Sequence, residues 1–160
     1  MLLVVIVQAF FVLGLVPPVV VAGDSMVPML PPGQRMWIDR TAYWWRAPAR
    51  GDVVVLPCPT HPTELCVKRV VGLPGERVQI INGQFLINRQ PKSFAMIDQL
   101  GPKPGLHIGT SPEYQLANDE LFLLGDNAAT SQDSRTWEPP GVSQKKLLGR
   151  VLGTRRGFGP

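Results

Sequence analysis

The sequence has little of what most often carries chemistry. It holds two histidines, two cysteines and five lysines in 160 residues, and charged side chains make up only 18%. Two cysteines exclude a disulfide-rich scaffold and, by themselves, a four-ligand zinc site. No Lys/Arg run exceeds a pair, and a net charge of +4 is too mild to argue for nucleic acid. There is no phosphate-binding loop, dinucleotide fingerprint or HExxH pattern, so no cofactor and no metal is expected. His61 lies between Thr60 and Pro62, and His107 lies in a stretch rich in Pro and Gly; both read as surface residues. A Ser-His-Asp triad therefore has little support. Residues 1–23 carry no charge at all.

That first stretch reads MLLVVIVQAFFVLGLVPPVVVAG, with Gln8 its only polar side chain. A cleavable leader would have a positive start, which is missing. A buried core helix is an alternative. The favoured reading is a membrane anchor, helical over residues 2–16, although this is short against the roughly 20 residues of a spanning helix. Pro17 and Pro18 lack an N–H and should end that helix, and residues 19–21 read as a strand leaving it. The chain thus divides into an anchor over residues 1–18 and a β domain over 19–160.

Seventeen prolines and 16 glycines point to short strands and many turns rather than a helical bundle. Apolar runs predict strands at 35–39, 53–56, 67–71, 77–81, 84–88 and 121–124. Asn82 and Gly83 are the strongest hairpin signal. Residues 90–118 read as an irregular insertion, and a short helix is expected near 143–148. The fold expected is mainly β, a single domain of antiparallel strands with long irregular loops behind the anchor helix.

Four of the five lysines sit in polar or proline-rich surroundings. Lys68 does not: it lies in CVKRVVG, inside an apolar strand pattern. Burial disfavours an ammonium, lowers its pKa and so makes a general base. The alternative is a strand lysine whose head snorkels to water. Ser25, in GDSMVPML, follows an apolar strand and could expose its hydroxyl there; the alternative is an ordinary turn serine.

Taken in order, four segments resemble the bacterial type I signal peptidases, a Ser/Lys leader peptidase family. GDSMVPML at 23–30 resembles the nucleophile box and RGDVVVL at 50–56 the strand that follows it. KRVVGLPGE at 68–76 resembles the lysine box, and GDNAATSQDSR at 125–135 the last box. Three positions depart from the pattern: Met29 where the family often has Thr, Ala128 where an arginine is common, and Gly23 where some members have a serine. The resemblance implies a membrane-bound serine endopeptidase that removes signal peptides from preproteins, with Ser25 as nucleophile and Lys68 as base. Ser131 is implied to orient the lysine amine. Asp133 with Arg135, and Asp126 with Arg69, are implied to be supporting ion pairs. With Gly23 in place, oxyanion stabilisation falls to backbone N–H groups, the Ser25 amide first. Asp24 is read as structural, since strand alternation would point it away from Ser25.

The substrate is expected to add as a strand near residues 21–23 and 66–68, with Val19, Val21, Met26, Leu30 and Val67 matching pocket-lining positions; plain core is the alternative for each. Tyr43, Trp44 and Trp45, near Arg40 and Arg46, suit a membrane interface or, alternatively, the core. Partners implied are signal peptides and membrane lipid, with the chain a monomer, single-pass, its catalytic domain outside the cytoplasm of a bacterial cell. In that oxidising setting Cys58 and Cys66, flanking a turn between two strands, are a disulfide candidate; two free buried thiols are the alternative. Two other functions remain open at this point: a self-cleaving repressor-like Ser/Lys protease, and a non-enzymatic membrane-tethered β domain.

Overall fold

The computed structural model describes residues 15–93 and 111–153. Within them the chain forms β1 (Leu15–Val20), β2 (Arg35–Asp39), β3 (Val53–Pro57), β4 (Leu65–Gly72), β5 (Arg77–Ile81), β6 (Gln84–Ile87), β7 (Gln90–Lys92), β8 (Tyr114–Gln115), β9 (Glu120–Leu124), β10 (Val142–Ser143) and β11 (Gly149–Val151). A single 3-10 turn, Gln144–Lys146, precedes β11 and is capped by the Ser143 hydroxyl. The protein is mainly β, as its proline and glycine content implies.

Two sheets result. Seven strands run in the order β1-β2-β11-β3-β4-β9-β10, and four in the order β7-β6-β5-β8. The recorded strand pairs are all antiparallel. The continuous apolar run of β3 is buried at every residue from Val53 to Leu56, so both of its faces are covered. Val53 and Val55 pack with Met26, Leu30, Met36 and Ile38. Val54 and Leu56 pack with Val70, Leu121, Leu123 and Trp137. A third cluster, built on Val71, Val78, Phe85 and Phe122, joins the smaller sheet to the larger. Asn82 and Gly83 both take positive φ, 49° and 83°, as the tight hairpin between β5 and β6 requires.

β4 organises the domain. It pairs with β3 from Leu65 to Arg69, and with β9 only from Arg69 onward. Among the described residues, the β9 side of residues 65–68 therefore carries no strand. β1 and β4 stand four places apart in the sheet order, yet Lys68 on β4 meets Ser25 just beyond β1. The sheet must coil far enough to bring them together, as twisted sheets do.

Several expectations need correction. Leu15 and Val16 are strand rather than the helix expected there, and the boundary drawn after Pro18 falls inside β1. Prolines are tolerated there because β1 is an edge strand, and its register shifts between Val16 and Val19, where they sit. The rest of the expected anchor, residues 1–14, lies outside the described residues. No helix among the described residues is long and apolar enough to cross a membrane. The insertion expected to be irregular over 90–118 carries β7 at one end and β8 near the other; residues 94–110 lie outside the described residues. The short helix is only a 3-10 turn, and β10 and β11, too short to show an apolar pattern, were not expected. Tyr43 and the two tryptophans divide. Tyr43 packs against the core and donates its hydroxyl to buried Asp52, whereas Trp44 and Trp45 are 67% and 82% exposed.

Cys58 and Cys66 form a disulfide with Cα atoms 5.0 Å apart. The bond closes the β3–β4 hairpin and holds the start of β4 two residues before Lys68. A loop this short restrains the unfolded chain by about 2–3 kcal/mol in the chain-entropy picture. Replacing both cysteines with serine should lower unfolding free energy by that amount in urea titrations, and intact-mass analysis of alkylated, unreduced protein should show no free thiol.

Candidate active site

Ser25 lies in the tight turn that follows β1, rather than at the strand end the sequence suggested. The turn is closed by Val27 N–H donating to Asp24 O at 3.1 Å and Leu30 N–H donating to Met26 O at 2.9 Å. Met26 and Leu30 are its apolar anchors, 1% and 3% exposed. They leave Ser25 half-buried at the surface of the core and Asp24 exposed. Asp24 is thus set aside by this turn and not by strand alternation.

Lys68 comes from β4, opposite Val54 on β3. Its side chain is 3% exposed, and its Nζ donates to Ser25 Oγ at 3.0 Å. Its pKa is lowered from 10.5 to a net value of about 8, with burial the largest cause. Asp133, Asp126 and Asp24 pull it back upward, while Arg135 pushes it down. An amine in that range is neutral in a useful fraction near neutral pH. The Ser25 hydroxyl and the Lys68 amine are therefore placed for proton transfer in either direction.

Around this pair, the loop after β9 supplies the polar frame. Arg135 donates to both oxygens of Asp133, from Nε at 2.8 Å and Nη2 at 2.6 Å. Gly125 N–H donates to Asp133 at 2.9 Å, and the Ser131 hydroxyl bonds to the same carboxylate. Burial alone would raise the Asp133 carboxyl, but these donors outweigh it and hold its pKa below the ordinary value. Ser131 is fully buried and lies against Gly125, where any Cβ would meet Ser131 Oγ at 2.2 Å and Ser25 O at 2.6 Å. Only glycine lets the two loops approach this closely.

A second buried pair stands behind Lys68. Arg69 donates to Asp126 through Nε and Nη2, both at 2.7 Å, and also to Gly51 O at 2.9 Å. Its Nη2 lies 2.8 Å from Met29 Sδ, on the turn that carries Ser25. One guanidinium thus ties β4 to the loops after β2 and β9 and to the turn that carries Ser25. Both ion pairs expected from the sequence are formed.

The candidate pocket residues gather in one apolar cluster: Val21, Met26 and Leu30 are buried in it, with Val19 and Val67 half-buried beside it. Strand addition at Val21 needs correction. Its N–H donates to Gln34 O and its carbonyl accepts from Gly33 N–H, so its main chain is already engaged. Of the departures, Ala128 is buried, leaving no room for a long side chain without rearrangement, whereas a Cβ at Gly23 would meet nothing within 4 Å. Asn127 and Gly125 were quoted in the last box but not singled out. Their contacts join loops a hundred residues apart, which no spacing in the sequence reveals. Among the described residues no cluster of His, Cys, Asp or Glu could hold a metal ion.

The signal peptidase, peptidase S26 family profile matches residues 1–154. A signal peptidase I from Leptolyngbya laminosa is 32% identical over 148 residues, covering 82% of this chain and 64% of that protein. One from Pseudomonas aeruginosa is 30% identical over 172 residues, covering 86% of this chain and 60% of that protein. The chain thus spans somewhat under two thirds of the length of these relatives. In fold, it resembles the crystal structure of a signal peptidase I from Enterococcus faecalis, with a TM-score of 0.53 and 24% identity over 66% of this chain and 97% of that one. With the profile running through all four boxes, the chain belongs to the signal peptidase family, peptidase S26.

Proposed function

We propose that this protein is a serine endopeptidase that removes N-terminal signal peptides from exported preproteins, tethered to a bacterial membrane with its catalytic domain outside the cytoplasm. The observation that carries the reading is the buried Lys68 amine 3.0 Å from the Ser25 hydroxyl, in a chain of this family. Neutral Lys68 takes the Ser25 proton as Oγ adds to the scissile carbonyl carbon, and the carbonyl oxygen becomes an oxyanion. Collapse of that intermediate breaks the C–N bond. Lys68 returns the proton to the departing amine, leaving an ester on Ser25. A water molecule, deprotonated by Lys68, then hydrolyses the ester. Ser131 steadies the lysine amine, and the Asp133/Arg135 and Asp126/Arg69 pairs hold the loops that aim it.

The substrate is read as an extended strand. The vacant side of residues 65–68 offers it main-chain partners on one flank, and residues 22–24 face it on the other. Val19, Val21, Met26, Leu30 and Val67 form the apolar wall that selects small side chains. Two other features support a membrane setting. Trp44 and Trp45 project into solvent, their ring centroids 5.4 Å apart, with Arg40 and Arg46 close in sequence; this suits the headgroup region. The disulfide fits an oxidising compartment.

The test is cleavage of a peptide spanning a signal-peptide junction, with labelling by a serine-reactive acyl probe. Wild type should cleave and label; Ser25→Ala should do neither, and Lys68→Ala should lose several orders of magnitude in kcat. Retained cleavage in either variant would overturn the dyad. Because catalysis needs the neutral amine, kcat/KM should climb as pH rises toward about 8 and level off above it.

Burial of Lys68 has a second consequence. As pH falls from 10.5 to about 8 the unfolded chain takes up this proton and the folded chain does not, so the folded state loses stability across that window. Lys68→Met should therefore be more stable than wild type at neutral pH by about 3 kcal/mol, an advantage that disappears as pH rises through the window. Denaturation curves at neutral and strongly alkaline pH check this.

Asp133 and the Arg135 side chain are 0% and 3% exposed, so removing one partner strands a buried charge. Asp133→Asn and Arg135→Ala should each cost about 3–5 kcal/mol, and their double variant less than the sum. Thermal unfolding of the four proteins measures the coupling, and turnover should fall with each single change.

A further inference from the structure

We propose that Asn127 is a positioning residue for the oxyanion: its side chain fixes the direction of the Ser25 N–H. The proposal rests on the Ser25/Lys68 reading above and adds to it a residue that touches neither substrate nor lysine.

Asn127 grips both peptide groups that flank the nucleophile. Its Nδ2 donates to Asp24 O at 3.2 Å, and its own N–H donates to Ser25 O at 2.9 Å. Asp24 O and the Ser25 N–H are opposite ends of one planar peptide. That peptide is trans, the cis bonds of the described chain being Val27-Pro28 and Glu138-Pro139. In a trans peptide the N–H points away from the C=O, so whatever holds Asp24 O aims the Ser25 N–H. Val27 N–H shares that oxygen at 3.1 Å, but it belongs to the same turn and would move with it. Asn127 instead anchors the peptide to the loop after β9, where its Oδ1 accepts from Ala129 N–H at 3.2 Å and its carbonyl accepts from Ser131 N–H at 3.1 Å. Among the described residues the Ser25 N–H has no acceptor. An open, fixed donor on the nucleophile itself is what the developing oxyanion needs. Gly23, two residues earlier, brings no side-chain donor to share the task.

When Ser25 Oγ adds to the carbonyl carbon and its proton passes to Lys68, the negative charge moves onto the carbonyl oxygen. If the peptide before Ser25 could rotate, that charge would meet a carbonyl oxygen part of the time instead of an N–H. The Asn127 amide prevents this from outside the reaction, so its loss should appear in the transition state and not in substrate binding.

Asn127→Asp is the sharper variant. It keeps the main-chain bond to Ser25 O and the acceptor for Ala129 N–H, loses the donor to Asp24 O and sets a carboxylate oxygen against that carbonyl. Asn127→Ala removes the whole side chain. On the alkaline plateau, where Lys68 is neutral in every variant, both should lose kcat on the order of 10- to 100-fold with KM within about twofold. A peptide aldehyde, which forms a tetrahedral adduct on Ser25, should bind more weakly by the same factor as kcat/KM falls. For Asn127→Ala the pH midpoint near 8 should stay in place. Wild-type kcat in Asn127→Asp, a loss confined to KM, or unchanged aldehyde affinity would each overturn the proposal. Should wild type cleave no faster than Ser25→Ala, the protease reading itself falls and takes this one with it. An active wild type, an inactive Ser25→Ala and a neutral Asn127→Asp would overturn the Asn127 role alone.

Discussion

A lysine amine held out of water is the constraint on which the rest of this structure depends. Lys68 is 3% exposed, and its pKa is drawn down to about 8, with burial the largest cause. Burial is not sufficient, however, because carboxylates stand nearby and each of them favours the ammonium. Asp133 and Asp126 are both fully buried in the same region. Each is committed to an arginine, Asp133 to Arg135 and Asp126 to Arg69. The guanidinium of Arg135 offsets the pull of Asp133 on the lysine. The two ion pairs therefore do more than hold loops. They let a dense set of buried polar groups surround the amine without restoring its ordinary pKa.

Those groups also explain why so little regular structure suffices around Ser25. Among the described residues the turn that carries Ser25 has no strand partner of its own. It is fixed from below by Met26 and Leu30 in the core, from one side by Met29 against Arg69, and from another by Asn127 on its main chain. Gly125 permits the last contact, since a side chain there would strike Ser25 O and Ser131. The loop after β9 is irregular, but Asp126, Asn127, Asp133 and Arg135 in it are each bonded into the frame. That is how an irregular segment becomes rigid enough to aim a hydroxyl.

β4 carries the amine, and its design is asymmetric. Its second half pairs with β9, packs under the smaller sheet and is buried; among the described residues its first half pairs with β3 alone, with Leu65 exposed. The disulfide closes the hairpin at the weak end. A half-open strand is normally a liability for aggregation. Here it is short, covalently restrained and beside the reactive pair, which suits it to receive an extended peptide.

Much of this was legible from residues alone. Short apolar runs marked β2 to β6 and β9 because a buried strand has few other compositions, and Asn82 with Gly83 marked a hairpin because the turn demands positive φ. Lys68 stood out as the lysine inside an apolar strand, though pattern alone left a snorkelling lysine open, and its pairing with Ser25 rested on the order of four short motifs. β10 and β11 were not legible: strands of two or three residues carry no periodicity, and tertiary pairing with β9, β2 and β3 makes them strands. Nor was the start of β1, where an apolar run ending in two prolines resembles a helix stop until an edge strand is available to accept them. The sequence by itself determined the strand-rich class, the chemical groups and their order along the chain. Only tertiary structure decided that Lys68 is buried, that its Nζ lies 3.0 Å from Ser25 Oγ, and that Asn127 bonds to the carbonyls of Asp24 and Ser25. Burial and close approach depend on how distant segments pack, and no local pattern encodes the distance between residues separated by 43 or 103 positions in the chain.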